Sequence, residues 1–126
     1  GIQSSAAPAA HRAWTSGEPA TVHSSTRVAG LAVGASFTLT QSVLGRSLND
    51  FILVDDDAIQ GAVGLLATHA HTLAEGAGAA SLAGLMADPT RQGPCAIVCT
   101  GGNADDYELA GISTGSVVGT DATLNC

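Results

Sequence analysis

Residues 51–71 read FILVDDDAIQGAVGLLATHAH. The first four residues are a continuous apolar run, which is typical of a short strand buried in a parallel sheet. The three aspartates that follow supply an N-cap and negative charge at the start of a helix. Ile59, Val63 and Leu66 then recur at helical spacing. A strand that leads directly into an amphipathic helix predicts an α/β fold.

The rest of the chain continues this mixture of helices and short strands. We predict further helices over residues 6–15, 37–48 and 76–87, a loop over residues 20–36, a second apolar strand over residues 95–99 and a last helix that opens at Asp105. Gly1 and Ile2 are typical of the end of a strand, so we expect the chain to begin inside a larger protein. Two strands cannot make a self-sufficient parallel sheet whose faces are both covered. The pattern therefore predicts part of a sheet that lacks its neighbours, followed by a weakly ordered tail over residues 113–126.

Charge and composition argue against several classes of partner. The 126 residues carry 11 acidic and 4 basic side chains, for a net charge of −7. We therefore expect no binding to nucleic acid or to an anionic membrane surface, because no basic patch is available. No segment approaches the about 18 apolar residues of a membrane span, and no secretory leader opens the sequence. An odd number of cysteines, three, indicates free thiols, so we expect a single cytoplasmic domain.

The segment IVCTGGN, residues 97–103, is the first candidate for chemistry. It runs from a predicted strand into a glycine-rich turn, and ligands of α/β proteins bind beyond the carboxyl ends of strands. Gly101 and Gly102 allow the backbone to approach a ligand, and the Thr100 hydroxyl can donate or accept a hydrogen bond. The spacing alone fits a plain strand-ending turn equally well.

Other polar residues favour structural roles. Glu75 precedes a helix of small residues, where it can face a ligand or, more simply, place negative charge at the helix N-terminus. His69 and His71 point apart on a helix, and no third ligand follows at a metal-binding spacing. Histidine is favourable at a helix C-terminus, and the three aspartates lack the spacing of a calcium loop. We expect no metal site.

Five stretches of the chain, in order, resemble the pyridoxal-phosphate-dependent threonine and serine dehydratases. Residues 97–105 are similar to the family's V-L-S-G-G-N segment, and residues 68–85 are similar to its H-T-H-N-L-A-E-G-A-G-A-A-x-L-A segment. Residues 51–69 resemble D-F-V-L-V-D-D-D-E-I-R-x-A-V, and residues 25–44 resemble a T-x-A-x-G-L-A loop with its helix. Residues 1–19 resemble the strand and helix that start the C-terminal part of the catalytic domain. The resemblance covers residues 1–112. It implies an α/β domain of fold-type II, the tryptophan-synthase-β-like superfamily, whose three-layer parallel-sheet structure is incomplete in this chain.

The resemblance implies pyridoxal 5'-phosphate as the cofactor. In the family a lysine carries the cofactor and a glycine-rich loop holds its phosphate; we expect both to precede Gly1. The chain contains no lysine, so we expect it to supply no catalytic residue. A hydroxyl or thiol of the family hydrogen-bonds the pyridine nitrogen, and Thr100 matches that position. The other cofactor-binding positions implied by the resemblance are Gly101, Gly102, Asn103, Gly30 and Glu75.

The resemblance also bears on metals. Some relatives bind a divalent cation through carboxylates, and the matching segment of this chain has Gln3, Ala7 and Ala9 instead. The resemblance therefore implies no cation site at these positions.

The resemblance implies a fragment of an amino-acid ammonia-lyase. The whole enzyme would eliminate water from L-threonine or L-serine to give a 2-oxo acid and ammonia, and this chain alone would be inactive. Its partners would be a small amino-acid substrate, the remainder of the catalytic domain and further copies in a homo-oligomer. One alternative is a non-catalytic, stand-alone half-domain that binds a partner or a ligand. Another is the same superfamily with a different reaction, such as threonine synthase or serine racemase.

Overall fold

The computed structural model describes residues 1–88 and 90–113. Within these residues the chain forms two strands, β1 (Ile2–Ser4) and β2 (Ile52–Val54). The helices are α1 (Ala9–Ser16), α2 (Thr38–Ser47), α3 (Asp56–His69), α4 (Gly76–Ala87) and α5 (Asp106–Ser113), and a 3-10 turn covers Ala29–Leu31. Every predicted helix is therefore present, with ends shifted by a few residues.

The two strands form a parallel pair. Ile2 lies opposite Ile52, and Ser4 lies opposite Val54. Parallel strands require a long connection, and here it contains α1, the 3-10 turn and α2. The α/β class and the parallel sheet are confirmed, and so is the strand at the start of the chain.

Helices cover both faces of this small sheet. Successive side chains of a strand point to opposite faces. Ile2 packs against Gly84 of α4, whereas the Gln3 side chain accepts a hydrogen bond of 2.9 Å from the His11 N–H of α1. The layers are therefore α4, the sheet and α1, with α3 packed on α4 and α2 packed on α1.

The core lies between β2, α3 and α4. Its larger buried side chains are Val28, Val54, Ile59, Val63 and Leu66, and alanines fill the remaining buried positions. Helix α3 begins as predicted, because the Asp55 carboxylate accepts a hydrogen bond of 2.6 Å from the Ala58 N–H.

The predicted strand over residues 95–99 is wrong for this chain. Residues 91–105 contain neither helix nor strand. A strand exists only when a neighbouring backbone completes its hydrogen bonds, and no strand of the described part of the chain is paired with this segment. The Val98 carbonyl instead accepts a hydrogen bond of 2.9 Å from the Ser81 hydroxyl, and 71% of the Val98 surface is exposed.

Smaller differences concern helix ends and loops. Helix α1 begins at Ala9 rather than at residue 6, since the Ala7 N–H donates to the Ser4 carbonyl in a turn that precedes Pro8. The predicted loop over residues 20–36 contains the 3-10 turn and a single antiparallel bridge between Thr21 and Ala35.

The end of the chain is described only in part. Ser113 is the last residue of α5, and the rest of the predicted tail, residues 114–126, lies outside the described residues. In the described portion, no helix combines the length and apolarity needed to cross a membrane.

Candidate functional site

The N-terminal end of α4 gathers three of the predicted site residues. The Glu75 N–H donates a hydrogen bond of 3.1 Å to the Gly101 carbonyl. Gly30 lies so close to α4 that an added Cβ would be 2.6 Å from the Cβ of Ala77. Gly30, Glu75 and Gly101, which are far apart in sequence, therefore meet at one helix end.

Glycine is required where residues 99–103 contact α4. A Cβ added at Gly78 would lie 2.5 Å from the Gly101 carbonyl oxygen, and a Cβ added at Gly101 would collide with the Glu75 carboxylate. A larger residue at Gly78 would push the Gly101 backbone away from the helix, whereas at Gly101 it would displace the flexible Glu75 side chain. Gly78 thus determines how closely the segment that carries Thr100 approaches α4.

Thr100 borders a cleft of about 430 Å³. The cleft lies between Ile2 of β1, the small residues Ala80 and Gly84 of α4, and the segment that ends at Val98. The Thr100 residue is exposed, and its hydroxyl forms no hydrogen bond to any other described residue. It is therefore available to a ligand.

The other predicted residues do not share this cleft. Gly102 and Asn103 are exposed beside Thr100, and a Cβ added at Gly102 would lie 3.1 Å from the Leu73 carbonyl oxygen. Gly30 lines a separate cleft of about 300 Å³ between β1, α1 and α2. Ile2 and Leu31 border both clefts, so they separate Gly30 from Thr100.

Glu108 is a site neighbour that the sequence reasoning missed. Its carboxylate accepts hydrogen bonds from the Gly76 N–H at 2.6 Å and from the Asp105 N–H at 3.1 Å. Glu108 therefore caps α4 directly, whereas Glu75 makes no capping hydrogen bond with its side chain. The signal was the Asp105-x-x-Glu108 spacing, because the Glu108 N–H also donates to the Asp105 carboxylate in a capping box.

Asp56 is the second missed residue, and it ties the Gly30 loop to the sheet. Its carboxylate accepts hydrogen bonds of 2.7 Å each from the Ser4 hydroxyl, the Thr26 hydroxyl and the Arg27 N–H. Burial opposes ionisation of Asp56, but these hydrogen bonds outweigh it, so the pKa of Asp56 lies below its usual value. The aspartate run therefore does more than cap α3.

No metal centre is visible in the described part of the chain. Among residues 1–88 and 90–113, no three His, Cys, Asp or Glu side chains are grouped as metal ligands. Gln3 uses its side-chain oxygen for the His11 N–H. His69 contacts the Thr68 hydroxyl at 2.8 Å, and His71 has a left-handed backbone with φ of 51°.

Comparison with known proteins decides the family. The family model described as "Pyridoxal-phosphate dependent enzyme" matches residues 1–101. The chain belongs to this family. The resemblance seen in the sequence is confirmed at this level, as are the incomplete fold-type II domain and pyridoxal phosphate as the family's cofactor.

Several solved structures are similar to this family member. The T.th. threonine deaminase has 26% identity and a TM-score of 0.77, over 83% of this chain and 39% of that structure. Maize serine racemase has 25% identity and a TM-score of 0.75, over 86% of this chain and 37% of that structure. Threonine deaminase isoform 2 of Solanum lycopersicum, in its processed form, has 18% identity and a TM-score of 0.79, over 90% and 35%, and shows the fold alone. A search of curated protein sequences finds no significant match.

The chain spans less than two fifths of the length of these structures. Its residues fit the cofactor in part. The Thr100 hydroxyl has no hydrogen-bond partner among the described residues, and the Glu75–Gly101 hydrogen bond holds the segment beside it against α4. The chain has no lysine for covalent attachment. This chain would therefore supply only one wall of a pyridoxal phosphate site, the wall formed by Thr100 and its neighbours.

Proposed function

We propose that this chain is the C-terminal part of the catalytic domain of an amino-acid ammonia-lyase. The whole enzyme would eliminate water from L-threonine or L-serine and release a 2-oxo acid and ammonia. The family match and the T.th. threonine deaminase among the similar structures support this reaction. The observation that carries the proposal is the exposed Thr100 hydroxyl, which has no partner among residues 1–88 and 90–113 and lines a cleft in a segment held by the end of α4.

Thr100 is proposed to bind the pyridine nitrogen of the cofactor. When bound, pyridoxal phosphate withdraws electrons from the α-carbon of an amino-acid substrate. A threonine hydroxyl is neutral, so it hydrogen-bonds the nitrogen without adding a charge. This leaves the nitrogen mostly unprotonated and moderates the electron withdrawal. Moderate withdrawal suits an elimination, because the departing β-hydroxyl takes electrons away from the reacting carbon.

The neighbouring residues are proposed to shape and hold this wall. Gly101 is fixed by the Glu75 N–H, and Gly102 and Asn103 continue the exposed backbone beside Thr100. Gly30 is assigned to the ring-facing loop by its match to the family's loop glycine. In this chain it lines the neighbouring cleft, so its role requires the rest of the catalytic domain.

We further propose that the complete enzyme is cytoplasmic and forms a homo-oligomer. The odd number of cysteines supports a reducing compartment. Helix α2 and the residue before it expose a row of apolar side chains, Phe37, Leu39 and Val43, of which Leu39 is 79% exposed. Such a surface favours burial against another part of the enzyme or another subunit.

The first test is the intact mass of the native polypeptide, meaning the polypeptide that carries this sequence in its source. We expect roughly three times 12.4 kDa, because the chain spans 35–39% of three similar structures. A native mass of 12.4 kDa would instead favour the alternative of a stand-alone half-domain, which the absence of lysine also supports.

The second test is turnover by the native polypeptide with its cofactor. We expect a 2-oxo acid and ammonia from L-threonine or L-serine. Two serine racemases are among the similar structures, so formation of D-serine as the main product would favour racemisation instead. Turnover of O-phosphohomoserine alone would favour threonine synthase.

The role of Thr100 has its own test in the same enzyme. The Thr100→Ser variant keeps the hydroxyl, and we expect it to retain activity. The Thr100→Ala variant loses one hydrogen bond to the cofactor, which corresponds to about a tenfold loss of activity. The absorbance and emission of the bound cofactor should change in Thr100→Ala and not in Thr100→Ser. Equal activity and equal spectra in both variants would refute the assignment.

The chain alone should be inactive. Borohydride reduction of the 126-residue chain with pyridoxal phosphate should yield at most one adduct, at the N-terminal amine, because no lysine is present. A stable adduct on any other residue would show that a side chain of this chain forms a Schiff base, which would contradict the proposal.

A further inference from the structure

Residues 101–108 form a loop whose two ends bind the N-terminal end of α4. At one end, the Gly101 carbonyl accepts a hydrogen bond of 3.1 Å from the Glu75 N–H. At the other end, the Glu108 carboxylate accepts a hydrogen bond of 2.6 Å from the Gly76 N–H. The loop is therefore closed on two adjacent residues of one helix.

Glu108 uses both oxygens of its carboxylate to close this loop. Oε1 accepts the hydrogen bond from the Gly76 N–H, and Oε2 accepts one of 3.1 Å from the Asp105 N–H. The Glu108 N–H in turn donates to the Asp105 carboxylate at 2.9 Å. One side chain therefore joins the starts of α4 and α5, the helices that precede and follow Thr100 in the sequence.

Helix α5, which carries Glu108, is attached to the fold at two other places. The Arg27 guanidinium donates a hydrogen bond of 2.6 Å to the Tyr107 hydroxyl, and its central carbon lies 5.1 Å from the centre of the Tyr107 ring. The Gln60 side-chain amide of α3 donates a hydrogen bond of 3.1 Å to the Glu108 carbonyl. The backbone of Glu108 is therefore fixed to the core helix, so its carboxylate is presented to α4 at a defined position.

The Gly76 position shows how closely Glu108 approaches α4. A Cβ added at Gly76 would lie 2.7 Å from Oε1 of Glu108 and 3.0 Å from Cγ1 of Val28. Val28 directly precedes the 3-10 turn that contains Gly30. The end of α4 is thus packed between the Glu108 carboxylate and the loop that carries Gly30.

We propose that Glu108 is a positioning residue for Thr100. Glu108 does not border the cleft that Thr100 lines, so it acts through the loop between the two residues. By closing that loop on α4, it holds the Thr100 hydroxyl in the orientation that binds the cofactor. The proposal rests on the proposed function, because only there does Thr100 bind the pyridine nitrogen.

Conformational entropy is the physical reason that both ends of the loop matter. The loop contains Gly101 and Gly102, and glycine has more backbone freedom than any other residue. Binding both ends of such a loop reduces the conformations open to Thr100, which precedes it directly. The hydroxyl then loses less entropy when it binds a ligand.

Hydrogen exchange tests the closed loop in the native polypeptide without its cofactor. Glu108→Ala removes the acceptor of the Gly76 and Asp105 N–H groups, so we expect both amides to exchange at least about tenfold faster. The Glu75 amide, whose acceptor is the Gly101 carbonyl, should also exchange faster, since the loop then has one bound end. Unchanged exchange of Glu75 would overturn the proposal, because the change would then not reach the other end of the loop.

Glu108→Gln and Asp106→Asn form a matched pair of variants. Each removes one negative charge from α5, but Asp106 is exposed and has no hydrogen bond to another residue of 1–88 and 90–113. Glu108→Gln keeps the size of the side chain and replaces one acceptor oxygen by a donor, so its effect on the Glu75 amide should be smaller than that of Glu108→Ala. Asp106→Asn should have no effect, and protection of the Leu66 amide shows that each variant is folded. Equal acceleration in Asp106→Asn would assign the effect to charge alone and count against the proposal.

A double-mutant cycle measures whether Glu108 acts through Thr100. The readout is the dissociation constant of pyridoxal phosphate from the native polypeptide. We expect Thr100→Ala to raise this constant about tenfold in the wild-type background and less than about threefold in the Glu108→Ala background, where the hydroxyl is no longer held in place. A residue with a merely structural role would give the same factor in both backgrounds, and that result would refute the proposal.

The same samples separate this proposal from the proposed function. No effect of Thr100→Ala in the wild-type background would refute the Thr100 assignment and, with it, the role of Glu108. An equal effect of Thr100→Ala in both backgrounds would retain Thr100 and refute Glu108 alone. Coupling between the two residues without turnover of L-threonine or L-serine would retain Glu108 and refute the reaction.

Discussion

Two short apolar segments of this chain, residues 51–54 and 95–99, have similar sequences and different environments. Residues 52–54 form β2, and Val54 is only 5% exposed, between the sheet and the core helices. Residues 95–99 form no strand, and Val98 is 71% exposed. An apolar run therefore marks where a strand can form, but a partner backbone decides whether it does.

The two segments also differ in how they are anchored. Beyond the end of β2, Asp56 binds Ser4 at the end of β1 and Thr26 in the following loop, so three parts of the chain are joined at one carboxylate. In the part of the chain that the structure describes, the later segment is joined to α4 by the Ser81–Val98 hydrogen bond and by the hydrogen bond from Glu75 to Gly101. Substitutions near β2 should therefore cost more free energy of unfolding than substitutions near residues 95–99.

The largest expected effect is that of removing the Asp56 carboxylate. In the 126-residue chain, Asp56→Ala leaves the buried Ser4 hydroxyl without its acceptor and also frees Thr26 and the Arg27 N–H. We expect the free energy of unfolding to fall by about 3 kcal/mol, measured by urea denaturation. The control is Asp57→Ala, which removes an exposed ion pair with Arg27 and should cost about 0.5 kcal/mol. Equal losses would contradict the anchoring role of Asp56.

Paired valine substitutions test the two segments directly. Val54→Ala removes two buried methyl groups and should lower the free energy of unfolding of the 126-residue chain by about 2 kcal/mol. Val98→Ala removes exposed surface and should cost no more than about 0.5 kcal/mol. A cost of Val98→Ala equal to that of Val54→Ala in the short chain would contradict the comparison.

Acid should weaken the β2 region through Asp56. The pKa of Asp56 is lowered in the folded chain, so the folded state binds its proton less readily than the unfolded state does. Its contribution to stability is complete above the unfolded pKa of about 4 and is lost as the pH falls through the lower folded pKa. Unfolding free energies measured from pH 6 to pH 2, a range of about 4 units around that value, should therefore fall more steeply in the wild type than in Asp56→Asn.

A second lowered carboxyl pKa gives a matched control for this titration. Hydrogen bonds from the Thr90 hydroxyl and N–H lower the pKa of Asp88, in the turn that precedes the later segment. We expect Asp88→Asn to change the pH dependence less than Asp56→Asn does, because the Asp88 bonds are local to one turn. A larger change in Asp88→Asn would assign the acid sensitivity to that turn.

The smallest expected effect is that of removing the hydrogen bond between Ser81 and residues 95–99. Ser81→Ala removes the hydrogen bond to the Val98 carbonyl and should lower the free energy of unfolding by about 0.5 kcal/mol. Amides of residues 97–100 should exchange faster, while the α3 amides should not change. The matched control is Ser42→Ala, whose hydroxyl bonds only to the Leu39 carbonyl of its own helix. Faster exchange of the α3 amides in Ser81→Ala would contradict a purely local role.

Local chemistry explains why the helices and the first strand could be predicted. The Asp55 cap and the spacing of Ile59, Val63 and Leu66 act within α3 or its first turn, so they can be recognised along the sequence. The same holds for α4, whose small residues precede the break at Asp88. The family motifs pointed to Thr100, Glu75 and Gly30, but their spacing contains no information on which cleft each residue borders.

The helices, the parallel α/β class and the family could be recognised along the sequence, because each depends on local patterns or on ordered motifs. The three-dimensional fold was needed to show that Gly30 and Thr100 border different clefts and that Glu108, not Glu75, caps α4. It also showed that residues 95–99 have no strand partner within residues 1–88 and 90–113. The physical reason is that strand pairing and side-chain contacts join residues that are distant in sequence, so they depend on which surfaces the rest of the protein supplies.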